Sequence, residues 1–417
     1  MNPFIQFLYQ CLLLPVVLLQ LSLRMLRYPQ YRKRFAERFG CYSFSLPHCI
    51  WVHAVSGGEV ITIRPIIEKL LASSSYPILI TTMTPTGAQQ IERLFGNKVH
   101  HVYLPYDFTI CVKTFLRMFK PKIAIIVETE IWPILLAECS KQSIPTVLLN
   151  ARLSEKSFQR YQKVDFLMRS TIQSFTHIAV QTQIEADRFH QLGMPHEKMT
   201  VTGSLKFDVE RGEELFLAAK TLRAQLGEDR LIWCAASLHK GEEDIVLKAH
   251  ALILQQVPNA LLILVPKHPE RFSLVAQLVR QQFNTALRSK GDLPNDNTRV
   301  YLGDTLGELV LFYAASDVAF VGGSLIPQGG HNLLEPASVK RPILSGPHLH
   351  NFLAISQWLQ DANALMKVYD EKTLADAVLY LHAHPDEAII QGERAERVCL
   401  SHRGAFSKQY ALLQAYL

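Results

Sequence analysis

At 417 residues the chain is too long for one compact hydrophobic core, and its length fits two domains with some additional segments. A hydrophobic content of 48% with 19% charged residues is ordinary for a folded enzyme, and neither low-complexity tracts nor repeats of solenoid period are visible. The formal net charge of +6 says little by itself, and no nucleic-acid partner is predicted.

The first element is an apolar stretch at the N-terminus. No Lys, Arg, Asp or Glu precedes Arg24, and a helix over residues 4–23 would span about 30 Å, the hydrocarbon thickness of a bilayer. Six basic residues follow between Arg24 and Arg38, opposed only by Glu37. We therefore predict a membrane anchor over residues 1–23, and the basic flank places the rest of the chain on the cytoplasmic side.

Two other interpretations of this stretch are a cleaved signal peptide and a helix that is buried or interfacial. A cleaved signal peptide is disfavoured, because no charge precedes the apolar run and no small-residue cleavage site follows it. A buried or interfacial helix stays open, since three glutamines and Pro15 interrupt the apolar run. The seven cysteines form no CxxC pair and have no His partner at zinc spacing, which indicates reduced, mostly buried thiols in a cytoplasmic compartment.

After Gly40, short apolar runs alternate with helical stretches in two series. The first comprises residues 50–55, 77–83, 123–127, 146–149 and 178–181, and the second comprises residues 231–235, 261–265, 300–302, 318–321 and 343–344. Most of these runs are unbroken rather than alternating, which predicts parallel strands buried on both faces.

The alternation of strands and helices predicts an α/β protein built from right-handed βαβ units. We predict two Rossmann-like domains, over residues 24–208 and 209–395, with a ligand cleft between them beyond the carboxyl ends of the strands. Residues 396–417 are predicted to form a C-terminal helix that could pack back on the first domain.

The segment 53–59 (HAVSGGE) directly follows the first predicted strand. Gly57 and Gly58 permit a close backbone approach or a positive φ at a strand-to-helix turn. Glu59 then lies in the first turn of the next helix. Two roles are open for it there: a carboxylate favoured by the helix dipole, or a general base that points into the cleft.

Two further candidates lie in the predicted first domain. Glu128 and Glu130 follow a buried strand, and because charges are costly inside an apolar core they should lie at its exposed carboxyl end, where α/β sheets bind ligands. Lys206, near the domain junction, is suited to a phosphate leaving group or a substrate carboxylate, although most lysines are merely solvated.

Three segments of the predicted second domain carry candidate ligand groups. Pro266 ends a strand, so that Lys267 and His268 are presented at its mouth as phosphate-binding groups. Residues 303–308 (GDTLGE) have the spacing of a strand–turn–helix start. The glycine-rich segment 322–337 should offer free N–H groups to a phosphate and the Glu335 carboxylate to a ribose diol, unless its glycines serve only tight turns.

Several common motifs are absent from the sequence. It contains no GxxxxGK[ST], no GxGxxG, no DxD-like metal motif and no HExxH. We therefore predict neither a metal site nor a cofactor.

Taken together, these segments resemble the lipid A Kdo (3-deoxy-D-manno-octulosonic acid) transferase family, which are two-domain glycosyltransferases of the GT-B type. The resemblance covers nearly the whole chain. It includes further motifs at residues 28–34 (YPQYRKR), 81–87 (TTMTPTG), 102–107 (VYLPYD) and 150–152 (NAR). It implies two Rossmann-like domains facing a cleft, behind an N-terminal membrane-anchor helix.

The resemblance also implies the substrates and the roles of the site residues. The donor would be CMP-Kdo and the acceptor the lipid A precursor (lipid IVA) of lipopolysaccharide synthesis, at the cytoplasmic face of the cell inner membrane beside anionic phospholipid. Glu59 would be the general base, and Glu128 and Lys206 would stabilise the transition state. The donor site, with His268 at its mouth, would comprise Pro266, Lys267, Leu306, Gly307, Glu308, Asn332, Leu333, Leu334 and Glu335.

The implied chemistry is inversion at the anomeric carbon, with domain closure aligning base and donor. A CMP-sugar carries one phosphate, so Lys, His and a helix N-terminus could suffice without a divalent metal. Two positions depart from the family pattern: many relatives have a larger residue at Gly57 and Arg at Lys267. A Lys keeps the charge but loses the bidentate fork of Arg, so its contacts with the donor should differ in detail.

Two alternatives from other classes remain at this stage. One is a UDP-sugar transferase or epimerase of the same fold, which binding of CMP against UDP would separate. The other is a non-catalytic nucleotide-binding scaffold at the membrane, for which Glu59→Ala would leave function intact.

Overall fold

The structure is a computed structural model that describes residues 3–208 and 212–417. The described chain divides into two compact units. The first unit comprises residues 3–208 and 403–417, and the second comprises residues 212–402. Each unit is built on one parallel sheet covered by helices, so the predicted pair of Rossmann-like domains of the GT-B type is confirmed.

The first unit contains a seven-stranded parallel sheet in the order β3-β2-β1-β4-β5-β6-β7. Its strands are β1 (Ile50–His53), β2 (Ile78–Thr82), β3 (His100–Tyr103), β4 (Ile123–Val127), β5 (Thr146–Ala151), β6 (His177–Val180) and β7 (Met199–Val201). The central strands are buried along their whole length, as their unbroken apolar runs predict.

Helices cover both faces of this sheet. They are α1 (Pro3–Arg27), α2 (Gly57–Ser73), α3 (Pro85–Phe95), α4 (Thr109–Phe119), α5 (Pro133–Lys141), α6 (Glu155–Gln162), α7 (Asp165–Ile172) and α8 (Gln183–Gln191). Short 3-10 turns span Pro29–Arg32, Phe35–Phe39, Gly96–Lys98, His196–Lys198 and Leu205–Phe207.

Helix α1 continues to Arg27, beyond the predicted anchor over residues 1–23. Arg24 and Arg27 lie in its last turn, where cations interact favourably with the helix dipole, and Pro29 disfavours a further turn. With a mean hydropathy of 1.9 the helix is long and apolar enough to cross a membrane, by length and composition alone.

The second unit contains another seven-stranded parallel sheet, in the order β10-β11-β9-β8-β12-β13-β14. Its strands are β8 (Ile232–Leu238), β9 (Leu261–Pro266), β10 (Thr285–Leu287), β11 (Val300–Leu302), β12 (Val318–Val321), β13 (Ile343–Ser345) and β14 (Leu365–Lys367). Its helices are α9 (Glu213–Leu226), α10 (Glu242–Gln256), α11 (Phe272–Arg280), α12 (Leu309–Ala315), α13 (Leu334–Ala337), α14 (Leu353–Asp361), α15 (Glu371–Ala383) and α16 (Pro385–Ser401). Two 3-10 turns span Pro269–Arg271 and Arg288–Lys290.

The last helix, α17 (Ala405–Gln414), belongs to the first unit and contacts α2 and β5 there. Helix α16 runs on through Ser401 and buries Ala395, Val398 and Cys399 in the second unit. The predicted C-terminal segment 396–417 is therefore divided between the two units.

Candidate functional site

Each sheet contains one point at which the strand order reverses. In the first unit β1 and β4 are neighbours, with β2 and β3 on one side and β5 to β7 on the other; in the second unit β8 and β12 hold the same position. Ligands of open α/β sheets bind outside the carboxyl ends of the strands at such points. The loops that leave β1, β4, β8 and β12 are therefore the candidate ligand-binding positions.

Glu59 lies in the first turn of α2, where its spacing from β1 predicts it. Ser56 caps the helix: its hydroxyl accepts from the Glu59 amide (3.5 Å) and donates to Glu59 Oε1 (3.0 Å). The Val55 amide donates to Glu59 Oε2 at 2.7 Å. This arrangement resembles a capping box and fixes the carboxylate at the carboxyl end of β1.

Gly57 serves a close approach rather than a positive φ. A Cβ at this position would lie 3.3 Å from Thr86 O and 3.1 Å from Gln90 Cγ, both on α3. Neither Gly57 nor Gly58 has a positive φ, so that part of the expectation is wrong. A larger residue at position 57 would require Gln90 to shift.

The first unit brings Glu128 and Lys206 together, although 78 positions separate them in the sequence. Glu128 directly follows β4 in a left-handed conformation, with φ of 62°. Its Oε1 lies 3.1 Å from Lys206 Nζ. A residue other than glycine in this conformation is uncommon and is often found at functional sites, because the surrounding structure must impose it.

These neighbours set the ionisation of Glu59. Burial, followed by the negative charge of Glu128, raises the pKa of Glu59, and the net value is about 7. The hydrogen bonds from Val55 and Ser56 and the cation of Lys206 act in the opposite direction. A carboxylate with a pKa near 7 is well matched to general-base work at neutral pH.

Glu130 keeps its proton to a higher pH than Glu59 does. Burial, followed by the charges of Glu59 and Glu128, raises the pKa of Glu130 to about 8. The Trp132 indole N–H donates to its Oε2 at 2.8 Å, which partly opposes this rise. At pH 7 Glu130 is therefore mostly protonated.

A buried network supports the turn that carries Lys206. The Leu205 amide donates to Asn150 Oδ1 (3.0 Å), and the Asn150 amide donates to Gln409 Oε1 (3.2 Å). Asn150 has φ of 52°, and Gln409, on α17, is fully buried and also donates to Thr202 Oγ1 (3.0 Å). Helix α17 thus helps to hold the position of Lys206.

In the second unit, Pro266 ends β9 and Lys267 follows it. The Lys267 amide still donates to Leu238 O at 3.0 Å, and the side chains of Lys267 and His268 are exposed beyond the strand end. His268 Nδ1 lies 3.8 Å from the Glu270 carboxylate.

Two histidines that the sequence analysis did not assign complete a basic cluster here. His239 follows β8, and its Nε2 lies 2.8 Å from Nε2 of His331, with the two rings parallel. The His268 ring meets His239 edge-on at 5.2 Å between centroids. Burial, with contributions from the Lys267 and histidine charges, lowers the pKa of His331 to about 3 and lowers that of His239.

The glycine-rich loop after β12 is bound by a carboxylate rather than left open. Glu242, fully buried at the start of α10, accepts from the amides of Gly323 (2.7 Å), Ser324 (3.0 Å) and Leu325 (3.0 Å). The expectation that this part of the loop offers free N–H groups to a phosphate is therefore wrong. The loop is instead held in place so that it presents His331.

The remaining predicted donor residues differ in what they can offer to a ligand. Glu308 forms a bidentate ion pair with Arg288 (2.6 and 3.0 Å), and this pair lowers the pKa of Glu308. Leu306 is exposed and Gly307 adopts a left-handed φ of 86°. Asn332 Oδ1 accepts from the Leu334 amide at 3.2 Å.

The last three predicted residues surround the start of α13. Leu333 and Leu334 are buried, so only their backbone could reach a ligand, whereas Glu335 is half-buried in the first turn of α13.

His239 and Glu242 could have been found from the sequence. The segment 238–243 (LHKGEE) follows the unbroken apolar run 231–236, which is the pattern that identified Glu128 after β4. His331 lay inside the glycine-rich segment, but nothing in the sequence indicates its contact with His239.

Comparisons with known proteins agree with this architecture. The family described as 3-Deoxy-D-manno-octulosonic-acid transferase (kdotransferase) matches residues 33–209. A 3-deoxy-D-manno-octulosonic acid transferase of Haemophilus influenzae is 40% identical over 99% of this chain and 99% of its own. One of Bordetella pertussis is 34% identical over 88% of this chain and 87% of its own.

Among solved structures, the UDP-GlcNAc 2-epimerase of Neisseria meningitidis bound to UDP-GlcNAc superposes with a TM-score of 0.54. The match covers 89% of this chain and 100% of the epimerase at 14% identity, which indicates a shared fold alone. The full-length relatives decide the family: the chain belongs to the 3-deoxy-D-manno-octulosonic acid (Kdo) transferases and is a glycosyltransferase.

Proposed function

We propose that this Kdo transferase moves Kdo from CMP-Kdo to the lipid A precursor (lipid IVA), with Glu59 as the general base. The observation that supports it best is the position of the Glu59 carboxylate at the β1/β4 reversal, held by the Val55 amide near the Glu128–Lys206 pair, where its pKa is raised to about 7. Structural carboxylates at helix starts ordinarily keep a low pKa, because the dipole and the capping bonds favour the charged form.

The transfer is a single displacement with inversion. The acceptor hydroxyl oxygen attacks the anomeric carbon of Kdo from the face opposite the phosphate and gives its proton to Glu59. The bond between that carbon and the phosphate oxygen breaks, and CMP leaves as an anion. Lys206, held by Glu128 and the Asn150 network, provides a fixed positive charge near this base, where charge changes during the reaction.

The second unit supplies the donor site at the ends of β8, β9 and β12. Lys267, His239, His268 and His331 together offer a cation and imidazole N–H groups to the single phosphate of the donor. The lowered pKa values of His239 and His331 make this pair mainly neutral without an anion. A bound phosphate would favour their charged, donating forms, as an adjacent opposite charge does.

The acceptor carries acyl chains, and the apolar helix α1 with its basic flank suits a site at the anionic inner-membrane surface.

Not all basic residues between Arg24 and Arg38 are available to bind a membrane. Arg38 is 1% exposed and donates to Met83 O at 2.9 Å, and Arg34 is bound to Glu37. The exposed basic residues outside this ion pair are Arg24, Arg27, Arg32 and Lys33.

The test replaces Glu59 by Gln, which keeps shape and hydrogen-bonding reach but cannot accept a proton. We expect transfer to fall by at least ~100-fold, the usual contribution of general-base catalysis, while CMP affinity stays nearly unchanged. Glu68→Gln is the matched control, because Glu68 lies on the same helix in an exposed pair with Arg64. Near-normal turnover of the Glu59→Gln variant would remove Glu59 from the mechanism.

A further inference from the structure

Helix α1 contacts the folded part of the first unit from its first turns. The Gln6 side-chain amide donates to Thr109 Oγ1 at 2.7 Å, and the Thr109 amide donates to Gln10 Oε1 at 2.8 Å. Two of the glutamines that interrupt the apolar run are therefore bound to the start of α4. Tyr9, between them, hydrogen-bonds the fully buried carboxylate of Asp107.

The contact continues towards the other end of the helix. Val17 is 7% exposed and Leu21 is 1% exposed, and both belong to the core cluster that contains Trp51 and Phe115. Leu13 and Met25 pack against the same cluster. One narrow face of α1 is thus docked from Gln6 to Met25, a length of about 28 Å at 1.5 Å per residue.

Apart from Gln20, Ser22 and the basic last turn, the rest of the helix surface is mainly apolar and exposed. Its exposed hydrophobic side chains are Phe4, Phe7, Leu8, Leu12, Leu14, Val16, Leu18, Leu19, Leu23 and Leu26. Ile110, next to Thr109 on α4, extends this surface and is 76% exposed. A contiguous exposed apolar surface of this extent on a folded protein marks an interaction site.

These contacts conflict with a helix that crosses a bilayer. If α1 crossed, the chain around Asp107 and Thr109, which is bound to residues 6–10 of the helix, would lie near the far leaflet. The irregular backbone of residues 104–108 would then be inside hydrocarbon, where lipid-exposed loops do not occur because water cannot satisfy their polar groups.

We infer that α1 lies parallel to the membrane within one leaflet, docked on the first unit along one face and exposed to lipid on the other, and that it does not cross. An interfacial helix usually has one polar face that points away from the lipid. In α1 the corresponding face is covered by the folded first unit. The exposed Arg24, Arg27, Arg32 and Lys33 at its end fit a leaflet of anionic phospholipid. This inference rests on the membrane site of the proposed function.

The experiment measures the depth of three positions on the exposed face. Leu12, Leu19 and Leu26 are 65%, 63% and 74% exposed and lie seven residues apart, so they share one side of the helix. Each is replaced by Cys in the full-length protein, after the exposed Cys11 and Cys41 have been replaced by Ala, and is labelled with an environment-sensitive fluorophore. The protein is bound to phosphatidylglycerol vesicles that contain lipids with nitroxide quenchers at shallow or deep acyl positions.

A helix in the plane of one leaflet predicts equal depth at the three positions, with the shallow quencher more effective at each. A crossing helix predicts depths that differ by about 20 Å between positions 12 and 26, and this result would overturn the inference alone. A protein that does not float with the vesicles would instead contradict the membrane site on which the inference rests. Leu293→Cys, 70% exposed on the second unit, is the control and should not be quenched.

Discussion

The ionisation of Glu59 should set the acid limb of the pH dependence of Kdo transfer. With a pKa of about 7, Glu59 loses its ability to accept a proton as the pH falls below 7, so kcat/KM should decline there. The charges next to Glu59 determine the direction in which two substitutions should move this acid limb. Removing the negative charge by Glu128→Gln should move the acid limb to lower pH, and removing the positive charge by Lys206→Met should move it to higher pH.

The size of each displacement can be worked from Coulomb's law. Two unit charges about 5 Å apart interact by about 3 kcal/mol at an effective dielectric constant of 20, and about 1.4 kcal/mol corresponds to one pH unit. The Lys206 and Glu128 side chains are 29% and 23% exposed, so solvent screens part of this interaction. We therefore expect displacements of about one pH unit, in opposite directions.

The assay is kcat/KM between pH 5 and pH 9 with detergent-dispersed acceptor. Both variants should also turn over more slowly at every pH, because Glu128 and Lys206 are proposed to stabilise the transition state. The pH at the midpoint of the acid limb reports the pKa of Glu59, and it does so independently of this loss of rate. Midpoints that stay in place, or that move in the same direction in both variants, would refute the assignment of the limb to Glu59.

Three further outcomes are expected. CMP should raise the thermal midpoint of the full-length protein more than UDP does, and EDTA should leave turnover unchanged; magnesium-dependent activity would contradict the predicted absence of a metal. Asn150→Ala should slow transfer about tenfold with CMP affinity unchanged in calorimetry, because the Lys206 turn loses its hydrogen bond and a strained conformation must be held by Ala. Removing residues 1–23 should abolish vesicle binding and also lower the free energy of unfolding in urea by about 3 to 6 kcal/mol, because Val17 and Leu21 leave the core; unchanged stability would contradict the docking of α1.

The central strands could be predicted from the sequence, whereas the edge strands could not. All ten apolar runs became strands, and the four strands that were missed, β3, β7, β10 and β14, are the edges of the two sheets. An edge strand is buried on fewer sides, so its sequence carries no unbroken apolar run. β7 (Met199–Val201), for example, is partly exposed at each residue.

In the functional site, too, some positions could be predicted from the sequence and others could not. The positions of Glu59 and Glu128 follow from local rules, since Glu128 directly follows a buried strand and Glu59 begins the helix after another. The ion pair between Glu128 and Lys206, and the contact between His239 and His331, join residues that are far apart in sequence. Only the strand order brings such residues together, and no local pattern encodes it.

The docking of α1 could not be predicted for the same reason. Gln6 and Gln10 interrupt the apolar run, but their shared partner, Thr109, lies about a hundred residues away. The composition of α1 therefore fits a helix that crosses the membrane and an interfacial helix equally well.

The most direct test of the proposed function is a product analysis. The purified protein is incubated with CMP-Kdo and the tetra-acylated lipid A precursor, and the lipid products are resolved by mass spectrometry, with the Glu59→Gln variant in parallel. We expect a mass increase of one or more Kdo residues on the lipid with the wild-type protein, and near-complete loss of this increase in the variant. An unmodified lipid with the wild-type protein, or equal products from both proteins, would contradict it.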